Sequence, residues 1–139
     1  MIDFLDPHDW SFPVPIAYGP GRLREVADYC ICNEMQRPLI VTDRGSADLP
    51  FFKKITEQLR AKRLKFGVYS DISPNPLDYE IAAGCALFRE NNHDGVIAIG
   101  GGSGMDGGKA ICLTATNDID LWRFNYDLES PDILALSFP

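Results

Sequence analysis

The chain has 139 residues, 45% of them hydrophobic and 24% charged, a mix that fits one soluble domain able to bury its own core. Thirteen basic against 20 acidic residues leave a net charge of -7, which argues against a nucleic-acid or anionic-membrane partner. No apolar run approaches the length of a membrane span, and Met1–Trp10 carries Asp3, Asp6 and Asp9 without a lysine or arginine, unlike a signal peptide, so a cytoplasmic location is expected.

The stretch to Tyr18 holds Pro7, Pro13 and Pro15 and reads as extended, with an edge strand at Val14–Tyr18. Gly19-Pro20-Gly21 is a turn, and Leu23, Val26, Ala27, Cys30 and Ile31 recur at helical spacing, predicting a helix over about Arg22–Glu34. Leu39-Ile40-Val41 is a buried strand closed by Thr42-Asp43-Arg44-Gly45. Asp48 is placed to cap a second helix with Pro50 in its first turn and Leu49, Phe52, Ile55 and Leu59 inward. Phe66–Tyr69 is the next strand. Asn75-Pro76, with Asp78 three residues after Asn75, predicts a capping-box-like start to a third helix burying Leu77, Ile81, Ala82, Cys85 and Phe88. Val96–Ile99 is the most apolar strand, leading through glycines into a fourth helix over about Met105–Leu113. The polar stretch Thr114–Asp120 follows, and Ile133–Leu136 is a last strand candidate.

Strands that alternate with helices and read as continuous apolar runs define an open, mostly parallel α/β sheet flanked by helices. The last strand candidate lies against Pro139 with no helix to cover it, so the chain is expected to be the leading part of a longer polypeptide. Cys30, Cys32, Cys85 and Cys112 form no C-x-x-C pair and are expected to be buried free thiols. His8 and His93 show no metal-ligand spacing; both are expected to be solvated, and no metal ligand is assigned.

The chemistry concentrates at Gly100–Lys109. A strand that ends in glycines and opens a helix lets backbone approach a diphosphate and aims free amides at it. A P-loop fails twice: Ser103 stands where G-x-x-x-x-G-K needs its first glycine, and Ala110 replaces the Ser/Thr that would hold magnesium. Gly102-Ser103-Gly104-Met105-Asp106-Gly107 does match G-x-G-x-x-G, but the segment after it is polar and the turn sits in a late βα unit.

Gly100-Gly101-Gly102-Ser103, Asp106 and Lys109-Ala110 together resemble the G-G-G-S-x-x-D-x-x-K-A signature of iron-containing (group III) alcohol dehydrogenases. Tyr18-Gly19-Pro20-Gly21, Leu39–Asp43 and Pro74-Asn75-Pro76 resemble that family's early turn, second-strand motif and P-N-P-T segment, in the same order, with Leu77 in place of threonine. Gly104, where the family often has proline, and the pair Gly107-Gly108 depart from the pattern and predict a looser helix start.

The resemblance implies a dehydroquinate-synthase-like N-terminal domain over residues 1–139, with the helical metal domain absent. It implies a part in hydride transfer between an alcohol or aldehyde and a nicotinamide cofactor. NAD is expected, NADP is possible, and Fe2+ or Zn2+ would be held by residues outside this chain. A homo-oligomer is expected.

The implied cofactor contacts are Gly101, Gly102, Ser103 and Gly104 to the diphosphate, Asp43 to the adenosine ribose, and Asn75 and Asp106 near the cofactor; no catalytic residue is assigned. Each has a plainer structural alternative. The glycines make a tight turn, Asp43 caps its own loop, Asn75 and Asp106 cap helices, and Lys109 pairs with Asp106. Arg44, next to Asp43, is the alternative partner for a 2′-phosphate. Two other readings stay open: a shortened, non-catalytic nucleotide-binding or interaction module, and a metal-free maleylacetate-reductase-like enzyme.

Overall fold

A computed structural model describes residues 8–11, 14–117, 119–125, 127–129, 131–132 and 139. Strands β1 (His8–Ser11) and β2 (Pro15–Tyr18) pair antiparallel as a hairpin apart from the main sheet, and β2 is exposed along its length. Arg22–Glu25 form a 3-10 turn before α1 (Val26–Cys32), so the first predicted helix begins later and ends earlier than its periodicity indicates. Then follow β3 (Pro38–Asp43), α2 (Pro50–Ala61), β4 (Gly67–Ile72), α3 (Asp78–Glu90), β5 (Gly95–Ala98) and α4 (Gly102–Ala115). Leu121–Phe124 make a final 3-10 turn. The strand candidate at Ile133–Leu136 lies outside the described residues.

The main sheet is parallel in the order β4-β3-β5. The central strand divides the core between its two faces. Leu39 and Val41 pack with Tyr69, Ile72, Ile81, Cys85, Phe88 and Ile111 beneath α3 and α4. Ile40 packs with Ala27, Cys30, Phe52, Ile55 and Leu59 beneath α1 and α2. A strand covered on both faces must be apolar throughout, which is why Leu39-Ile40-Val41 shows no alternation.

Three helices stop without glycine. Glu34, Arg63 and Asn92 each take a left-handed φ near +50° to +60° just beyond α1, α2 and α3. The amides of Met35, Leu64 and His93 then close back on the carbonyls of Cys30, Leu59 and Phe88. This is the Schellman closure, stabilised here by the returning hydrogen bond in place of a permissive residue.

Two predicted caps are not used. Leu49, not Asp48, occupies the cap position of α2, with Pro50 in the first turn as expected. At α3 the cap position is Leu77, two residues past Asn75, and the Glu80 carboxylate accepts from the Leu77 amide at 3.1 Å.

Cys30 and Cys85 are buried and Cys112 is half-buried, but Cys32 is exposed, against expectation. Burial pushes the thiols of Cys30, Cys85 and Cys112 up in pKa, so they are protonated and inert at neutral pH. His93 is also not simply solvated: it is half-buried, and Nδ1 lies 2.8 Å from the Arg37 carbonyl oxygen. The side chain of His8 lies outside what is described. Among the described residues, no helix is long and apolar enough to cross a membrane.

Candidate functional site

The chain leaves β3 for β4 on one side of the sheet, then crosses back to β5 on the other. The helix after β3, α2, covers one face, and the helix after β5, α4, covers the opposite face. The two exit loops therefore part from each other above adjacent strand ends. Such a topological switch point opens a crevice at the carboxyl edge of a parallel sheet, where ligands of doubly wound domains bind.

One wall of the crevice is the glycine turn. Gly100 holds φ +123°, a left-handed value, and a methyl group there would stand 2.6 Å from Asp43 Oδ2. Gly101 is the extended cap residue of α4, which begins at Gly102, earlier than predicted. The first closing bond of the helix runs from the Met105 amide to the Gly101 carbonyl at 3.1 Å. Among the described residues nothing accepts from the amides of Gly102, Ser103 and Gly104, the orphan donors of a helix start. A Cβ on Gly101 or Gly102 would meet no atom within 4 Å, so the space over these amides is open.

The later glycines do something else. A Cβ on Gly104 would lie 2.6 Å from the Ile99 carbonyl oxygen; on Gly107, 2.8 Å from Ile72 Cδ1; on Gly108 it would overlap the Ala98 side chain. All three are buried. They seat α4 directly on the sheet, so the helix start is held tightly and not loosened as the glycine content predicts.

The other wall is the loop after β3. Asp43 Oδ1 accepts from the amides of Gly45 and Ser46 at 3.1 and 3.0 Å, and Oδ2 from the Ser46 hydroxyl at 2.7 Å. The Ser46 hydroxyl, together with those amides, holds the Asp43 carboxyl below the ordinary aspartate pKa, against a smaller opposing effect of burial. The plainer reading of Asp43, a turn aspartate closing its own loop, is thus realised. A carboxylate has about four acceptor sites. With three used, about one stays free for a ribose hydroxyl unless Ser46 turns away.

The loop after β4 forms the third side. Ser103 Oγ donates to the Pro74 carbonyl at 2.6 Å, tying the glycine turn to the Pro74-Asn75-Pro76 segment. Asn75 is exposed, and its carbonyl oxygen lies 2.9 Å from the Ser73 hydroxyl oxygen. Asp106 is exposed and pairs with Lys109 at 3.3 Å, one of the alternatives its spacing offers; neither Asp106 nor Ser103 caps the helix through its side chain. The structure thus brings Asp43, Gly100–Gly104 and the Pro74 carbonyl together.

Two contributors escape sequence reasoning. Ser46, three residues after Asp43, signals itself only as a loop serine at capping distance. Glu80 is 2% exposed, and Oε2 accepts from the Ser73 amide and hydroxyl and from the Leu77 amide. Its Oε1 takes Arg44 Nη2 at 3.1 Å. Glu80 stands at the third helical position, where a capping-box acid belongs, but leucine at the cap hides the pattern.

Burial pushes the Glu80 carboxyl up in pKa, but the Leu77 and Ser73 donors and Arg44 outweigh it and hold it below the ordinary range. A folded-state pKa below the unfolded one stabilises the fold above the unfolded value and loses that stabilisation as pH falls through the folded one. Thermal stability is therefore expected to fall below about pH 4.3, the ordinary glutamate pKa. Glu80→Gln is expected to flatten that fall. Tm profiles of chain and variant between pH 3 and 6 check this, and parallel profiles would refute it.

A parallel sheet with an open glycine turn at its switch point is a Rossmann-like architecture. The comparisons agree. The sequence profile of the iron-containing alcohol dehydrogenases matches residues 13–136, and the chain belongs to that family. It is 38% identical to alcohol dehydrogenase 4 of Saccharomyces cerevisiae over 104 residues, 74% of this chain and 27% of that protein. It is 30% identical to 1,3-propanediol dehydrogenase of Klebsiella pneumoniae over 126 residues, 89% of this chain and 31% of that protein.

Among solved structures, a 1,3-propanediol oxidoreductase superposes with TM-score 0.73 at 31% identity, covering 76% of this chain and 28% of that one. A sulfoacetaldehyde reductase from Bifidobacterium kashiwanohense, solved in complex with NAD+, superposes with TM-score 0.69 at 27% identity, covering 81% and 30%. The chain thus spans about three-tenths of the length of these relatives.

Proposed function

We propose that these residues form the nicotinamide-dinucleotide-binding part of an alcohol dehydrogenase. The observation that carries the proposal is the open glycine turn at the switch point, with unpartnered amides at Gly102, Ser103 and Gly104 and no atom where a Cβ of Gly101 or Gly102 would stand. The open backbone and the positive end of the α4 dipole suit a diphosphate, and they do so in a chain of net charge -7, because backbone supplies the attraction. Gly101, Gly102 and Ser103 would hold the diphosphate. Gly104, buried against the Ile99 carbonyl, would contribute through its amide. Asp43 would receive the adenosine ribose, and Asn75 and Asp106 border the site.

The nicotinamide would supply hydride chemistry, and these residues would bind and orient it. Among the described residues no three His, Cys, Asp or Glu side chains gather as a metal site.

Isothermal titration of the chain with NADH tests the proposal; absence of saturable binding would remove it. Asp43→Asn keeps an oxygen for the Gly45 and Ser46 amides while removing the charge that repels a 2′-phosphate. It is expected to raise the NADPH-to-NADH affinity ratio about tenfold, the size of one close charge repulsion screened nearly as in bulk water. An unmoved ratio would count against the ribose role.

A further inference from the structure

Asp43 and Arg44 adjoin each other at the end of β3, yet their side chains serve different neighbours. The Asp43 carboxylate lies against Gly100 and the first turn of α4. Arg44 belongs to the β4 side. Its amide donates to the Ile72 carbonyl at 3.2 Å, and Nη2 donates to the Asp71 carbonyl and to Glu80 Oε1, both at 3.1 Å. Nε stands 3.8 Å from the Asp71 carboxylate. The partner that fixes Arg44 is the unusual one. Glu80 is buried, and three donors already occupy its other oxygen, so the Arg44 guanidinium supplies the opposite charge. A carboxylate removed from water holds such a cation firmly. The Arg44 side chain is 58% exposed and the Asp71 side chain 72%, so without Glu80 only solvent-exposed contacts to Asp71 hold the guanidinium, and these are weak enough for it to swing away.

We infer that Glu80 is a specificity-determining positioning residue for the dinucleotide. By holding Arg44 on the β4 side, it withholds from the ribose site the cation that would otherwise attract a 2′-phosphate. An arginine close to the ribose-binding acid is the usual means of accepting that phosphate. Selectivity in this chain thus has two parts: the Asp43 charge repels the phosphate, and Glu80 keeps the adjoining cation away from it. The inference rests on the dinucleotide reading of the crevice.

The test titrates the 139-residue chain, Glu80→Gln, Arg44→Met and the double variant with NADH and with NADPH by calorimetry. Glu80→Gln is expected to raise the NADPH-to-NADH affinity ratio about tenfold, the size of one charge-assisted hydrogen bond. Arg44→Met alone is expected to leave the ratio within about twofold, and in the double variant it should abolish the gain, as a coupled pair requires. A purely structural role for Glu80 would weaken both dinucleotides alike and leave the ratio unmoved, overturning the inference. A selective loss of NADPH affinity in Arg44→Met would overturn it too, since Arg44 would then already serve the phosphate. That arm can still overturn the inference even if Glu80→Gln does not fold. Failure of the unaltered chain to bind either dinucleotide is a separate result, which removes the dinucleotide reading and this inference with it.

Discussion

Gly104→Ala is expected to lower the melting temperature of the chain by at least about 6 °C. Two effects oppose each other. Alanine favours a helix over glycine by up to about 1 kcal/mol. Against that, the new Cβ would lie 2.6 Å from the Ile99 carbonyl oxygen and 3.2 Å from the Asp43 amide nitrogen, both backbone atoms that no rotamer change can clear. Overpacking of this kind costs roughly 3 kcal/mol, so the net loss is about 2 kcal/mol, or at least about 6 °C for a domain of this size. Gly108→Ala should behave alike, because its Cβ overlaps Ala98 on the strand beneath. Thermal unfolding followed by circular dichroism checks both; an unchanged or raised Tm would show that α4 has room to lift.

Gly101→Val is expected to do the reverse: fold as before, yet lose about a hundredfold in NADH affinity. The backbone there, at φ -77° and ψ -168°, is open to any residue, and nothing lies within 4 Å of its Cβ. The isopropyl group would fill the space over the helix amides. Losing two charge-assisted hydrogen bonds to a diphosphate, each about 1.5 kcal/mol, gives a hundredfold. Calorimetric titration with Tm measured alongside checks it: normal affinity with normal stability would mean that the diphosphate does not approach Gly101. The two substitutions separate glycines of one motif by what surrounds them.

That separation was not legible in the sequence. Gly104 reads there together with Gly101 and Gly102 as a diphosphate contact, because a missing side chain does not say whether open space or another element takes its place. The parallel sheet was legible, since Leu39–Val41 and Val96–Ile99 are apolar without alternation and the helical segments between them repeat at helical spacing. Boundaries were less so. Thr114 and Ala115 belong to α4 although they open a polar stretch, since Arg89 donates to both their carbonyls at 2.9 and 2.8 Å and holds the last turn. Strand β4 runs on through Ser70 and Asp71, polar residues beyond the strand expected at Phe66–Tyr69. The loop-closing duty of Asp43 was legible as the plainer alternative at that position, but its partner Ser46 is recognisable only once the turn is seen. Glu80 was hidden by leucine at the cap position. The ion pair with Arg44 spans 36 residues, and no local pattern reports a contact of that range.

The central strand also says where this chain can change. From Leu39 to Thr42 every side chain is completely enclosed, and Asp43 is the first to reach solvent. On the proposed dinucleotide reading, cofactor preference and core integrity meet at neighbouring positions of one strand. A lineage exploring a different dinucleotide would have to vary Asp43 in a way that still closes its loop on Gly45 and Ser46, while the four positions before it stay under packing constraint.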